Sequence, residues 1–216
     1  MSWTVESRMQ AVDAILRRAP VVPVLSIESL DDAVPLARAL ADAGLPVLEV
    51  TLRTDVARAA IERIARDVPQ AIVGAGTVLR PGDLASVINA GAQFAIAPGS
   101  TDALYAAAAD AAIPFIPAVA TASELMRGLD AGHARFKFFP AESAGGIGAL
   151  RSFAGPFPQA KFCPTGGIDA AKAPAYLALS NVLTVGGSWM VPKDALASRD
   201  WAAIAKLAAA CVSLRG

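Results

Sequence analysis

Short apolar runs recur along the chain at a near-constant interval, and the stretches between them carry apolar residues at helical spacing. The runs are residues 21–25, 47–51, 71–75, 94–97, 115–119, 136–139, 161–165 and 182–185. Their starts lie roughly 21 to 26 residues apart, which leaves room for a crossover helix of about 10 to 13 residues after each strand. Strands that are apolar along their whole length are expected in a parallel sheet covered on both faces. The segments between them predict helices over 31–43, 55–67, 101–112 and 200–214, and one more over 6–19 precedes the first strand. In the 31–43 helix, Asp31 can cap the start, Val34, Leu36 and Leu40 form the apolar stripe, and Gly44 can end it. Thr121-Ala122-Ser123-Glu124 has the form of a capping box.

Eight strand–helix units predict a (β/α)8 TIM barrel with an extra N-terminal helix, in one domain over residues 1–216. A doubly wound open sheet is the alternative. It often carries a glycine-rich first turn, whereas Ser26-Ile27-Glu28-Ser29 has no glycine. No linker or low-complexity tract divides the chain.

Composition narrows the function. The chain is 55% hydrophobic, which suits one large core of doubly buried strands. Nineteen basic and nineteen acidic residues cancel, so no field favours nucleic acid and an anionic ligand needs a few placed groups. Cys163 and Cys211 form no pair pattern, as in a reducing, cytoplasmic setting. His133 is the single histidine, and no cysteine or carboxylate cluster joins it in a metal site. The polar residues 1–10 do not fit a signal peptide, and no apolar run reaches the roughly 18 residues of a membrane span.

In a barrel of this kind the active site lies at the C-terminal ends of the strands. Lys137 is the sharpest candidate there. It alternates with Phe136 and Phe138, so if those pack outward it points inward. Desolvation there favours the neutral amine, the nucleophile that attacks a ketone to form an imine. A lysine reaching the mouth only to stay solvated is the competing reading. Lys161 opens its strand at the wrong end, and Lys172, Lys193 and Lys206 fall in helices or loops.

Glu49 interrupts an otherwise apolar strand. A carboxylate there must be paired or functional, either as a general acid/base or in an ion pair with Arg53. Arg53 itself could bind a carboxylate in bidentate fashion or merely start a helix. Two glycine pairs, Gly166-Gly167 and Gly186-Gly187, follow the last two strands. Their backbone N–H groups, aided by following helix N-termini, can hold a phosphate, or they can simply make tight turns. His133, in a helix–strand loop, has no expected role.

Five ordered segments carry a family resemblance over nearly the whole chain. They are VLEVTLRT (47–54), IVGAGTVL (72–79), FKFFPAE (136–142), FCPTGGI (162–168) and GGSWMVP (186–192). With them the chain resembles the bacterial 2-keto-3-deoxy-6-phosphogluconate (KDPG) aldolases, which often also act on 4-hydroxy-2-oxoglutarate (KHG). The resemblance implies that Lys137 forms the Schiff base and Glu49 is the general acid/base. Arg53 would bind the substrate carboxylate with Thr77 nearby, Pro98 and Phe139 would line the pocket, and Thr165 would contact substrate hydroxyls. The backbone around Gly166, Gly167, Gly187 and Ser188 would hold the 6-phosphate. It implies a homotrimer, a 2-keto acid sugar phosphate and pyruvate as small-molecule ligands, and no cofactor or metal, because the iminium supplies the polarisation. Ala97 and Ala120 stand where serine is common in the family, at positions with no expected catalytic role. Thr165 favours the gluconate over the galactonate series. A non-catalytic phosphate-binding barrel, or an isomerase or decarboxylase on the same scaffold, stays open from the residues alone.

Overall fold

The computed structural model describes residues 3–214. In chain order, helix α1 (Val5–Leu16) leads to strand β1 (Val21–Leu25), then α2 (Ala33–Asp42), β2 (Val47–Thr51), α3 (Ala57–Asp67) and β3 (Ile72–Gly76). Helix α4 (Pro81–Asn89), β4 (Ala95–Ile96), α5 (Asp102–Ala109), β5 (Phe115–Ile116), β6 (Ala118–Val119) and α6 (Ala122–Asp130) follow. The chain ends through β7 (Arg135–Phe138), α7 (Gly146–Ala154), β8 (Lys161–Pro164), α8 (Ala173–Leu177), β9 (Val185–Gly187), α9 (Lys193–Ala197) and α10 (Trp201–Val212).

The expected closed eight-stranded (β/α)8 TIM barrel is corrected. The parallel ladders form two sheets, a six-stranded one in the order β5-β4-β3-β2-β1-β9 and a three-stranded one in the order β6-β7-β8. Proline explains both seams, because it has no N–H to give to a ladder. The expected fifth strand breaks at Pro117: Phe115 and Ile116 pair with β4, while Ala118 and Val119 pair with β7. At the other seam β8 ends on Pro164, and only the isolated bridges Phe162↔Val182 and Thr165↔Gly186 reach toward β9. The last strand accordingly starts later than the apolar run at 182–185 suggests.

Local signals fared better. Strands β1 and β2 occupy the predicted residues. Thr121 and Glu124 do form a capping box: Glu124 N–H donates to Thr121 Oγ1 (3.2 Å), and Thr121 N–H donates to Glu124 Oε2 (2.9 Å). Asp31 does not cap α2. It lies in a 3-10 turn, Leu30–Asp32, that precedes the helix.

Two layers of packing follow from strands buried on both faces. Outer residues such as Leu48, Val50, Phe136 and Phe138 join the helices in the larger core. Inner residues Val22, Val47, Phe94, Ile96, Ile116, Cys163 and Leu183 share a second core with Val12, Ile15 and Leu16 of α1. Helix α1 is pinned there by polar groups. Asp13 makes a bidentate pair with Arg135 of β7 (2.5 and 2.9 Å), and Arg8 donates to the carbonyls of Ala131 and Gly132 (3.0 and 2.9 Å). The same helix therefore fills one end of the inner core and fixes the strand that carries Lys137.

Candidate active site

Alternation along two strands aims the central pair. Phe138 packs outward on Phe153 of α7 at 6.1 Å between ring centroids, so Lys137 points the other way. Leu48 and Val50 likewise face the helices, and Glu49 faces inward. Strand register brings Glu49 opposite Gly74 and Lys137 opposite Cys163. Lys137 Nζ then lies 2.7 Å from Glu49 Oε1, with both residues buried at 5% and 1% exposure. That settles two open alternatives. Lys137 does not reach out to solvent, and the ion partner of Glu49 is Lys137 rather than Arg53. A buried charge costs several kcal/mol unless paired, so the two groups stabilise each other here.

Glycine makes the room for this pair. A Cβ on Gly76 would stand 2.3 Å from Glu49 Oε1 and 2.7 Å from its Cγ. Gly76 pairs in register with Thr51, and Gly74 with Glu49. Gly186 does the same for Thr165, whose Oγ1 would lie 2.2 Å from a Cβ there. Beneath the pair, burial pushes the Cys163 thiol up to about 12, so it stays protonated.

The pair borders a cavity of about 330 Å³. Every residue that the sequence singled out lines it: Glu49, Lys137, Arg53, Thr77, Pro98, Phe139, Thr165, Gly166, Gly167, Gly187 and Ser188. The Phe139 ring lies 5.5 Å from Lys137 Nζ. Arg53 is exposed at the rim. Thr77 has φ 60, a left-handed conformation that is costly for a β-branched residue and persists where surroundings impose it.

Gly186, of the second glycine pair, also lines the cavity, as do Val24, Thr51 and Ile168, which were missed. Thr51 could have been found, since it lies two residues after Glu49 and so on the same strand face. Its hydroxyl donates to Leu25 O at 2.8 Å. One expected contribution is small. The helices after the two glycine turns, α8 and α9, have five residues each, so the phosphate-binding potential of these turns rests on backbone N–H groups rather than on a helix dipole. Among the described residues, no group of three or more His, Cys, Asp or Glu side chains could hold a metal ion. No helix there is long and apolar enough to cross a membrane. Lys161, at the start of β8, donates to Ser180 O (3.0 Å), away from the cavity.

The family model for KDPG and KHG aldolases matches residues 12–207. The KHG/KDPG aldolase of Escherichia coli K12 is 57% identical over 198 residues, covering 92% of this chain and 93% of the relative. The 2-dehydro-3-deoxy-phosphogluconate aldolase of Dickeya dadantii is 55% identical over 203 residues, covering 94% and 95%. A KDPG aldolase crystal structure from Legionella pneumophila, with pyruvate captured at low pH as a covalent carbinolamine intermediate, superposes with a TM-score of 0.91 at 50% identity, covering 93% and 97%. With a buried lysine–glutamate pair at the mouth of parallel strands and relatives of this closeness, the chain belongs to the KDPG and KHG aldolase family of lyases.

Proposed function

We propose that the chain, acting as one domain over residues 1–216, is a class I aldolase that cleaves KDPG to pyruvate and glyceraldehyde 3-phosphate, with KHG cleavage to pyruvate and glyoxylate at the same lysine. The observation that carries this reading is the 2.7 Å contact between Lys137 Nζ and Glu49 Oε1 on the cavity wall. Binding alone does not need a buried amine–acid pair, which disfavours a non-catalytic barrel.

The contact supplies a closed proton cycle. Glu49 takes a proton from the Lys137 ammonium and frees the amine, which attacks the C2 carbonyl of the substrate. The carbinolamine hydroxyl leaves as water with the proton that Glu49 holds, and an iminium remains. The Glu49 carboxylate then removes the C4 hydroxyl proton. The C3–C4 bond breaks, its electron pair passes into the iminium as an enamine, and the aldehyde leaves. Glu49 returns its proton to C3, and water releases pyruvate and regenerates the amine. Arg53 and Thr77 suit the substrate carboxylate, Pro98 and Phe139 the pocket wall, and Thr165 the hydroxyls. Gly166, Gly167, Gly187 and Ser188 suit the phosphate. The carbinolamine captured in the Legionella relative supports the first covalent step.

The resemblance that implies this chemistry also implies a cytoplasmic homotrimer, which sedimentation equilibrium and cell fractionation test. The reaction itself is tested by incubating the protein with pyruvate, adding borohydride and mapping the adduct by mass. An adduct on Lys137 is expected. A folded protein without one would sink the aldolase reading.

A further inference from the structure

Three successive peptide carbonyls after β8 are tied to one cluster of groups. Ala141 N–H donates to Thr165 O (2.8 Å), Glu142 N–H donates to Gly166 O (3.1 Å), and Lys172 Nζ donates to Gly167 O (2.9 Å). In a trans peptide the N–H points opposite to the carbonyl. The N–H groups of Gly166, Gly167 and Ile168 are thereby turned away from the cluster. All three residues line the cavity. The bridge Thr165↔Gly186 engages the Gly166 N–H with Gly186 O, whereas the N–H groups of Gly167 and Ile168 make no hydrogen bond among the described residues. Backbone donors fix the first two peptides. The third depends on a side chain that must itself be held.

Lys172 is so held. Its ammonium lies 2.7 Å from Glu142 Oε2, and the other carboxylate oxygen accepts from the buried Tyr176 hydroxyl. The Asp169 carboxylate accepts the N–H groups of Ala171 and Lys172 (3.0 and 2.9 Å), which fixes the backbone from which the lysine reaches back. Hydrogen bonds from Lys172 and then Tyr176 hold the Glu142 carboxyl below its usual range, so it stays ionised. Glu142 also packs under the turn: a Cβ on Gly167 would meet its Cγ at 2.7 Å.

We propose that Lys172 and Glu142 are positioning residues that aim the Gly167–Ile168 peptide N–H at the anionic end of the substrate, and so set affinity for phosphorylated over unphosphorylated substrates. The proposal rests on the aldolase reading for its substrate, but the aim of the N–H can be measured without turnover.

The test is titration with inorganic phosphate, followed by the backbone amide NMR signals of Gly167 and Ile168. The wild type should show saturable shifts at both. Lys172→Met should weaken binding about tenfold, as expected for one charge-assisted bond, with the Ile168 shift reduced most, and Lys172→Arg should restore much of it. Glu142→Gln separates aiming from simple charge. Removing a negative charge near the site should tighten phosphate binding if only the field matters, whereas loss of the tether should weaken it about threefold. In steady state, Lys172→Met should raise KM for KDPG about tenfold with kcat near wild type and KHG cleavage unchanged. Equal losses on both substrates, tighter binding in Glu142→Gln, or no phosphate shifts in the wild type would overturn the proposal. A wild type that binds phosphate but forms no borohydride adduct would overturn the aldolase reading and leave the positioning role standing.

Discussion

Two ionisable bases are buried in this molecule under opposite terms. Lys137 has a carboxylate at 2.7 Å and a cavity beside it. His133, in the loop between α6 and β7, is 2% exposed and packs against Tyr105 and Phe115 at 5.4 and 5.9 Å between ring centroids. Its Nε2 has no partner among the described residues. Burial, and then the nearby Arg8 charge, lowers its pKa to about 3. A buried base with a proton partner and an open space is equipped for chemistry. One with neither is equipped only to stay neutral, and its effect falls on stability.

The sharpest way to break that contrast is to remove the lysine. Lys137→Ala should abolish turnover, by more than about 10,000-fold, and eliminate the pyruvate–borohydride adduct. Residual adduct elsewhere on the chain would undo the assignment. Gly76→Ala comes next, because the new methyl must displace Glu49 while Lys137 stays in place. Turnover should drop on the order of 100- to 1,000-fold, in the range of a displaced acid/base. Circular dichroism should stay native, and the adduct should still form at a reduced rate.

His133 is tested through pH. The unfolded chain takes up a proton at this residue below the ordinary histidine value of 6.5, while the folded chain does so only at about 3. Its contribution is therefore intact above 6.5 and is lost as the pH falls toward 3, at about 1.4 kcal/mol per pH unit. His133→Gln should flatten that slope in urea unfolding without changing kcat. An unchanged slope would mean that other groups dominate acid unfolding. The smallest effect is expected at Thr77. Relief of its positive φ should let Thr77→Gly gain about 1 kcal/mol, against a several-fold rise in KM for the 2-keto acid substrates. A loss of stability instead would show that the hydroxyl matters more to folding than the strain.

The candidate site was more legible in the sequence than the fold around it. Lys137 and Glu49 are polar interruptions of apolar strands, and alternation sets Lys137 opposite to Phe136 and Phe138, so its direction follows once those rings pack outward. The glycine pairs could be ranked because their place after the last strands was readable. What escaped was whatever depends on hydrogen-bond continuity between strands. Pro117 sits inside an apolar run that reads as one strand, yet its missing N–H divides the run between two sheets. Gly76 was visible within IVGAGTVL, but its reason, the space it leaves for Glu49, exists only once β2 and β3 are in register. Lys172 falls in a helix or loop by its sequence, and no local pattern links it to Glu142, thirty residues earlier.

Helix α1 closes the inner core with Val12, Ile15 and Leu16, and none of its residues lines the cavity at the strand ends. A reaction chamber of this shape is walled by strand ends and by the turns that follow them. On the proposed aldolase reading, the ketone fragment stays bonded to Lys137 until its iminium is hydrolysed, while the aldehyde is free as soon as the C3–C4 bond breaks. On that reading the covalent bond, rather than the shape of the chamber, sets which product is free first.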